Sequence, residues 1–150
     1  MSPNESMLDL DRQICFPLYA ATRAVTRRYT DLLTEVGLTY PQYLVMLALW
    51  TDGALSVGEL GRRLRLDSGT LTPLLKRLEA SGRVERRRDT HDERRVVVSP
   101  TPEGERLRGD VAGVPLEVAR SIGLGLDEFT QLHHLLSAVI ENLDAVGSTA

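Results

Sequence analysis

Residues 56–99, SVGELGRRLRLDSGTLTPLLKRLEASGRVERRRDTHDERRVVVS, decide the fold of this 150-residue chain. Ser56 and Glu59 have the spacing of a capping box, in which each side chain binds the backbone N–H of the other residue, and they predict a short helix. Asp67 is a suitable N-cap for a second helix over residues 68–81. The short connection between the two helices is typical of a helix-turn-helix.

The pattern then changes to that of a β-hairpin. Residues 84–88 and 95–99 read as two short strands on either side of a polar loop. Arginine is concentrated in this wing, and guanidinium groups suit the strongly negative minor groove of DNA. Asp92 is placed to hold the Arg94 side chain by an ion pair. The candidate DNA contacts of the wing are Arg86, Asp92, Arg94 and Arg95.

The second helix begins with small polar residues, which allow a helix to approach base edges in the major groove. Its candidate DNA contacts are Asp67, Ser68, Gly69, Thr70, Thr72, Lys76 and Arg77. The chain carries a net charge of −3, but residues 56–99 contain 11 Lys and Arg against 7 Asp and Glu. On charge alone, a nucleic-acid surface and a solvated arginine-rich face are both open interpretations. The helix-turn-helix and the wing together favour DNA.

Long amphipathic helices are predicted on both sides of this segment. Their apolar faces exceed what a small DNA-binding core can cover, so we expect two copies to pair, with an intramolecular three-helix cap as the alternative. The predicted fold class is mainly α with a small β hairpin: a winged helix-turn-helix flanked by N- and C-terminal dimerisation helices. The predicted organisation is a flexible tail (1–7), a dimerisation helix with a sensor cysteine (8–37), a DNA-binding lobe (38–100) and C-terminal dimerisation helices (101–150).

Cys15 is the only cysteine, and it stands just before Pro17 at the start of the first long helix. A lone cysteine is usually a small buried hydrophobe. A helix N-terminus, however, favours the thiolate, which is the species that hydroperoxides oxidise to sulfenic acid. Phe16 and Tyr19 supply apolar surroundings and complete a candidate sensor pocket.

Several other classes of protein are disfavoured. One cysteine excludes an internal disulfide framework and a cysteine-rich zinc site, and the three histidines lack the i, i+4 spacing of helical metal ligands. Phosphate-binding loops and nucleophile elbows are absent from the sequence. No apolar run is long enough to cross a membrane. We therefore expect no cofactor, no metal, no catalytic residue, no membrane partner and a cytoplasmic location.

Four segments resemble the MarR-type winged-helix repressors: ICFPLYA (14–20), GLTYPQY (37–43), LDSGTLTPLLKRL (66–78) and DERRV (92–96). The wing segment is common to that superfamily. The cysteine segment combined with the tyrosines is typical of its organic-hydroperoxide-sensing branch, and the resemblance covers about residues 8–147.

The resemblance implies a homodimer that represses a gene for an organic hydroperoxide reductase by binding a pseudo-palindromic double-stranded DNA operator. In that branch the oxidised cysteine matches Cys15, and two tyrosines of the partner chain that hydrogen-bond its sulfur match Tyr29 and Tyr40. Arg94 matches the arginine that enters the minor groove, and Asp92 matches its support. This chain has no second, resolving cysteine, so a small cellular thiol is the possible mixed-disulfide partner, and overoxidation is the other fate of the sulfenic acid.

Two other functions remain open. A repressor of the same fold could release DNA when it binds a small aromatic ligand, in which case Cys15 is incidental. A thiol peroxidase is disfavoured because the chain lacks a second cysteine and its central segment is basic. The sequence therefore predicts a non-enzymatic repressor that senses an organic hydroperoxide through Cys15.

Overall fold

The computed structural model describes residues 7–147, so the predicted tail at 1–7 lies outside the described residues except for Met7. Helices and short strands alternate in the middle of this part of the chain. In order, they are α1 (Cys15–Leu33), α2 (Tyr40–Asp52), β1 (Leu55–Ser56), α3 (Val57–Leu64), α4 (Ser68–Ala80), β2 (Val84–Arg88), β3 (Val96–Pro100), α5 (Pro102–Asp110), α6 (Val114–Ile122) and α7 (Leu126–Gly147). The predicted fold class is confirmed.

Two capping boxes fix the starts of α2 and α3. At α2, the Gln42 backbone N–H donates to Thr39 Oγ1 (3.3 Å) and the Thr39 N–H donates to Gln42 Oε1 (3.0 Å). At α3, Glu59 N–H donates to Ser56 Oγ (3.1 Å) and Ser56 N–H donates to Glu59 Oε2 (2.7 Å). Each box satisfies two backbone donors that a helix start would otherwise leave unpaired.

The turn between α3 and α4 has the predicted position and a strained residue in it. Arg65 follows α3 with φ of 56°, in the left-handed region that side chains rarely adopt. The Leu66 N–H donates to the Gly61 carbonyl (2.9 Å), and a Cβ at Gly61 would lie 2.9 Å from the Leu66 carbonyl oxygen. A glycine at position 61 therefore lets the chain turn closely enough to pack α4 against α3.

The sheet has one strand more than the predicted hairpin. The strand order is β1-β3-β2, all antiparallel, with Arg86 opposite Val98 and Leu55 also opposite Val98 on the other side. β1 is only two residues long, so its pattern is invisible in sequence, and it is defined by pairing with a strand about forty residues later. This third strand joins the wing to the start of α3.

The core of the lobe is built from the inner faces of α2, α4 and the sheet. Its fully buried members include Tyr43, Met46, Leu49, Leu71, Leu75, Leu78, Val84 and Val98. Gly104 of α5 is buried so closely that an added Cβ would lie 2.0 Å from the Arg83 carbonyl oxygen. The Trp50 side chain also ties α2 to α5, because its indole N–H donates to the Gly104 carbonyl (3.1 Å).

The C-terminal region corrects one expectation. The apolar pattern after Thr101 predicts one long helix bent near Gly113 and Pro115, but the chain forms two helices, α5 and α6. The break follows because the proline lacks a backbone N–H and the glycine has high conformational freedom. The structure divides into two compact units, one ending at Pro115 and the other beginning at Leu116.

The long helices at both ends leave apolar side chains exposed. Within α1 only Leu33 is buried, and none of the residues of α7 is. Exposed large apolar residues of α7 are Leu126, Phe129, Leu132, Leu135, Val139, Ile140, Leu143 and Val146. No single helix among residues 7–147 is long and apolar enough to cross a membrane; one pair, Cys15–Val36 and Tyr40–Asp52, reaches the length and composition only together and is bent by 75°.

Candidate redox centre and nucleic-acid interface

Cys15 is the first residue of α1 and is exposed. Ile14, which precedes it, makes no side-chain capping hydrogen bond. The partial positive charge of a helix N-terminus favours an anion placed there. The Cys15 sulfur is therefore accessible to solutes at the start of this helix.

The two predicted pocket residues lie on the first turns of the same helix. Phe16 is 45% exposed and Tyr19 is 61% exposed, so a single chain does not enclose the cysteine with them. The Arg23 guanidinium carbon lies 5.6 Å from the centre of the Tyr19 ring, which is a cation–π distance. The rings of Phe16 and Tyr19 therefore leave the candidate pocket around Cys15 open to solvent in a single chain.

Three tyrosines cluster where α1 and α2 meet. The Tyr29 and Tyr40 rings are stacked, with centroids 4.4 Å apart and an interplanar angle of 25°. Tyr43, which is 1% exposed, lies 5.6 Å from Tyr29 and 6.4 Å from Tyr40. Within residues 7–147 no described hydrogen bond uses the hydroxyl of Tyr29 or Tyr40. These two half-buried phenols are therefore available as donors to a group outside their own chain.

The electrostatics of the cluster keep the phenols protonated. Burial raises the pKa of Tyr29, and the charge of Tyr40 raises it further. Burial also raises the pKa of Tyr40. For Tyr43, burial and then the two neighbouring phenols raise the pKa to about 12. All three hydroxyls thus remain hydrogen-bond donors at physiological pH.

The structure does not bring Cys15 and the phenols together within one chain. Cys15 opens α1 and Tyr29 lies 14 residues later on the same helix. At a rise of 1.5 Å per residue, they are about 21 Å apart. Tyr40 stacks on Tyr29, so it is equally remote. Any contact between the sulfur and these phenols requires a second copy of the chain.

The predicted recognition helix is α4, with its N-cap and exposed face in place. Asp67 accepts a hydrogen bond from the Thr70 N–H at 2.7 Å, which orders the first turn. Leucines bury one side of the helix, while the opposite side is exposed. Thr72 is half-buried, and the exposed members of the helix are Ser68, Gly69, Thr70, Pro73, Lys76, Arg77, Glu79 and Ala80. All seven sequence-predicted positions thus lie on α4 or at its cap.

The wing arginines separate into two sets. Arg86 is paired with Glu79 of α4, through Nε to Oε2 at 2.8 Å and Nη2 to Oε1 at 3.4 Å. Arg95 is paired with Glu59 of α3, through Nη2 to Oε2 at 2.9 Å, and with Asp89 at 3.4 Å. Arg88 and Arg94 are exposed, and within residues 7–147 neither guanidinium has a described ion pair.

The support that Asp92 gives Arg94 differs from the expectation. The Asp92 Oδ1 atom accepts the Arg94 backbone N–H at 3.1 Å, and no ion pair with the Arg94 guanidinium is described in the ordered wing. A short aspartate side chain two residues earlier reaches the backbone of a tight turn more readily than the end of a long arginine. Asp92 therefore fixes the turn, and the Arg94 side chain extends from it.

A further arginine connects the end of the α1 segment to the wing. Arg83, directly before β2, donates from Nη2 to the Val36 carbonyl (2.8 Å) and from Nη1 to the Gly37 carbonyl (3.5 Å). Val36 closes the 3-10 turn that continues α1 past the tyrosine. Arg83, Glu59 and Glu79 were not among the candidate site residues. Their partners lie up to 47 residues away in sequence, so only the capping-box spacing of Glu59 gave any signal.

Comparisons with known proteins agree with this architecture. A family profile described as transcriptional regulator SarA/Rot matches residues 27–110. The HTH-type transcriptional regulator TtmR of Methylorubrum extorquens is 52% identical over 141 residues, which is 93% of this chain and 72% of that protein. The organic hydroperoxide resistance transcriptional regulator of Bacillus subtilis is 41% identical over 139 residues, which is 91% of this chain and 92% of that protein.

Solved structures of AbfR from Staphylococcus epidermidis are also similar. Reduced AbfR bound to DNA matches with a TM-score of 0.78 and 34% identity, over 93% of this chain and 98% of that one. Overoxidized AbfR bound to DNA matches with a TM-score of 0.76 over the same shares.

Proposed function

The chain belongs to the SarA/Rot family of MarR-type winged-helix transcriptional regulators, and from this we propose that it is a homodimeric repressor controlled by oxidation of Cys15. With Cys15 reduced, the dimer binds its operator. An organic hydroperoxide oxidises Cys15, and the dimer then releases the DNA. The Bacillus relative, named for organic hydroperoxide resistance, supports the class of oxidant.

The observation that carries this proposal is that the sulfur lies at the first residue of α1, whereas the Tyr29–Tyr40 stack lies near the other end of that helix. Two antiparallel copies of α1 place Cys15 of each chain beside Tyr29 and Tyr40 of the other. The apolar residues exposed on α1, including Phe16 and Tyr19, are then covered by the second copy. Protonated phenols stabilise and orient a thiolate by hydrogen bonding. The sensor site is thus complete only in the dimer.

The oxidation step needs only the thiolate and the peroxide. The Cys15 sulfur attacks the terminal oxygen of ROOH, an S–O bond forms and the O–O bond breaks. The peroxide is reduced to an alkoxide, which takes up a proton to become the alcohol ROH. The sulfur is left as a sulfenic acid. The sulfenic acid no longer accepts the phenol hydrogen bonds in the same geometry, so the dimer contacts around α1 change.

The species that releases DNA is proposed to be a mixed disulfide. A small cellular thiol RʹSH attacks the sulfenic acid, forming the S–S bond and releasing water. AbfR is similar in structure and has been crystallised on DNA in its overoxidized form, which favours a bulkier adduct than added oxygen as the releasing state. To lower the DNA-binding fraction of the dimer from 99% to 1%, oxidation must change the equilibrium constant between the two states by about 10⁴-fold, which is about 5.5 kcal/mol.

The two DNA-binding lobes of the dimer bind the operator together. In each lobe, α4 enters the major groove and the wing places Arg94 in the minor groove. Two-fold symmetry predicts a pseudo-palindrome whose half-sites are about one helical turn, or ~10 base pairs, apart. We place this regulator in the cytoplasm, where DNA and small thiols are both present.

The test compares DNA release by the unmodified chain and by Cys15→Ser. Fluorescence anisotropy follows a labelled operator duplex as cumene hydroperoxide and a small thiol are added, and mass spectrometry follows the Cys15 peptide. We expect the unmodified dimer to release DNA as the adduct forms, and Cys15→Ser to stay bound. Normal release of Cys15→Ser refutes the redox function, and release by a non-oxidising phenolic compound instead points to a ligand-controlled repressor.

A further inference from the structure

The wing carries Arg86, Arg88, Arg94 and Arg95, and these four arginines are not equivalent. Two of them are held by carboxylates of other elements: Arg86 by Glu79 at the end of α4, and Arg95 by Glu59 at the start of α3. The guanidinium groups of Arg88 and Arg94 have no such partner among the described residues.

The two held arginines connect the wing to both helices of the helix-turn-helix. Arg86 lies in β2, opposite Val98, and its pairing with Glu79 is bidentate. Bidentate pairing fixes the orientation of both planes as well as the distance. Arg95 stands at the loop end of the hairpin, directly before β3. One ion pair therefore secures the middle of β2 to α4, and the other secures the loop end of the wing to α3.

The carboxylate of Glu59 is itself held in place. Its Oε2 atom accepts the Ser56 N–H at 2.7 Å and the Arg95 Nη2 at 2.9 Å. The hydrogen bonds from Ser56 and then from Arg95 lower the pKa of Glu59 to about 2, so it is ionised throughout the physiological range. A carboxylate fixed by the backbone is a rigid anchor for a flexible arginine.

We propose that Glu59 and Glu79 are positioning residues for DNA binding, which fix the angle between the wing and α4 by holding Arg95 and Arg86. Arg94, together with Arg88, then supplies the cationic contacts of the wing to DNA. This inference rests on the proposed function for DNA as the partner. It changes the role of Arg86 and Arg95 from candidate DNA contacts to anchors.

The proposal predicts an effect opposite in sign to simple electrostatics. Removing a carboxylate close to DNA reduces repulsion of phosphate, so a purely electrostatic role predicts tighter binding. A positioning role predicts weaker binding, because the wing loses its fixed angle. Glu59→Gln separates these outcomes without removing the cap of α3, since Gln42 already serves as the capping-box residue of α2 in this chain.

The probe is a duplex that the reduced, unmodified protein selects from a random-sequence DNA library. Its affinity is measured by fluorescence anisotropy over a range of salt concentrations. We expect Glu59→Gln and Glu79→Gln each to weaken binding at least about tenfold, with the slope of log K against log salt unchanged. The matched control is Glu85→Gln, which also removes a carboxylate paired with a wing arginine, but one paired within its own strand, with Arg87 at 3.0 Å. The control is expected to bind as tightly as the unmodified protein, or more tightly.

The arginines give an independent measurement. Arg94→Ala should reduce the magnitude of the salt slope by about 0.9 for each phosphate charge that it no longer neutralises. Arg95→Ala should weaken binding with little change in slope, because its charge is already compensated by Glu59 and Asp89. Circular dichroism and thermal melting confirm that each variant is folded.

Two results overturn the inference: Glu59→Gln and Glu79→Gln bind as tightly as Glu85→Gln, or Arg95→Ala loses as much salt slope as Arg94→Ala. If the unmodified protein selects no duplex, the proposed function fails as well. If it selects a duplex and releases it on oxidation, but the carboxylate variants bind normally, only the positioning role fails.

Discussion

Replacing Tyr29 by phenylalanine removes one phenol from the proposed sensor site while keeping the aromatic stack. The ring remains 4.4 Å from Tyr40, and no described hydrogen bond within the chain is lost with the hydroxyl. A hydrogen bond to a charged group contributes about 1.5–3 kcal/mol. If the hydroxyl stabilises and orients the Cys15 thiolate of the partner, its loss should slow oxidation by about 10- to 150-fold, at 1.4 kcal/mol for each factor of ten.

The assay is the rate at which the Cys15 peptide is oxidised after mixing with cumene hydroperoxide, measured by quenching and mass spectrometry. Tyr43→Phe is the matched control, because it removes a hydroxyl from the same cluster at a position that is 1% exposed and cannot reach another chain. We expect Tyr29→Phe to react slowly and Tyr43→Phe to react normally. Equal rates for the two variants would refute the role of the Tyr29 phenol.

Three further predictions concern coupling and stability. Arg83→Ala should be oxidised normally yet release DNA incompletely, because it loses the bonds to the carbonyls that follow α1; full release in the anisotropy assay counts against this link. Gly104→Ala should destabilise the fold by about 3 kcal/mol or more in urea denaturation, because its Cβ would meet backbone 2.0 Å away, whereas Gly109→Ala has open space and should gain up to about 1 kcal/mol from helix propensity. The pKa of Tyr43 is raised to about 12, so the folded chain keeps a proton that the unfolded chain releases above pH about 10. The free energy of unfolding should therefore be independent of this group below pH 10 and fall between pH 10 and 12. Tyr43→Phe should show a smaller fall over the same pH range.

Local sequence signals predicted most of the fold. The Ser56–Glu59 capping box, the Asp67 cap and the change from helical to strand periodicity after Gly82 all depend on residues a few positions apart, and each is present in the structure. The resemblance carried by four segments is confirmed at the level of the family. β1 was missed because two residues carry no periodicity and acquire their strand geometry from pairing with β3.

The candidate site was less predictable, because its geometry depends on distant partners. Arg95 and Glu59 are 36 residues apart in sequence, so the anchoring of the wing could not be read from charge patterns. The stack of Tyr29 on Tyr40 likewise depends on how α2 packs against α1. The proposed pairing of Cys15 with phenols of another chain comes from the resemblance, and the length of α1 is the physical reason why a single chain cannot form it.

The most direct test of the account uses two kinds of mixed dimer that each retain a single Cys15. In the first, one chain carries both Cys15→Ser and Tyr29→Phe and the other is unmodified, so the remaining sulfur faces the altered ring of its partner. In the second, one chain carries Cys15→Ser and the other carries Tyr29→Phe, so the remaining sulfur faces an intact tyrosine. We expect slow oxidation by cumene hydroperoxide in the first dimer and the normal rate in the second. Equal rates, or the reverse order, contradict a sensor shared between two chains.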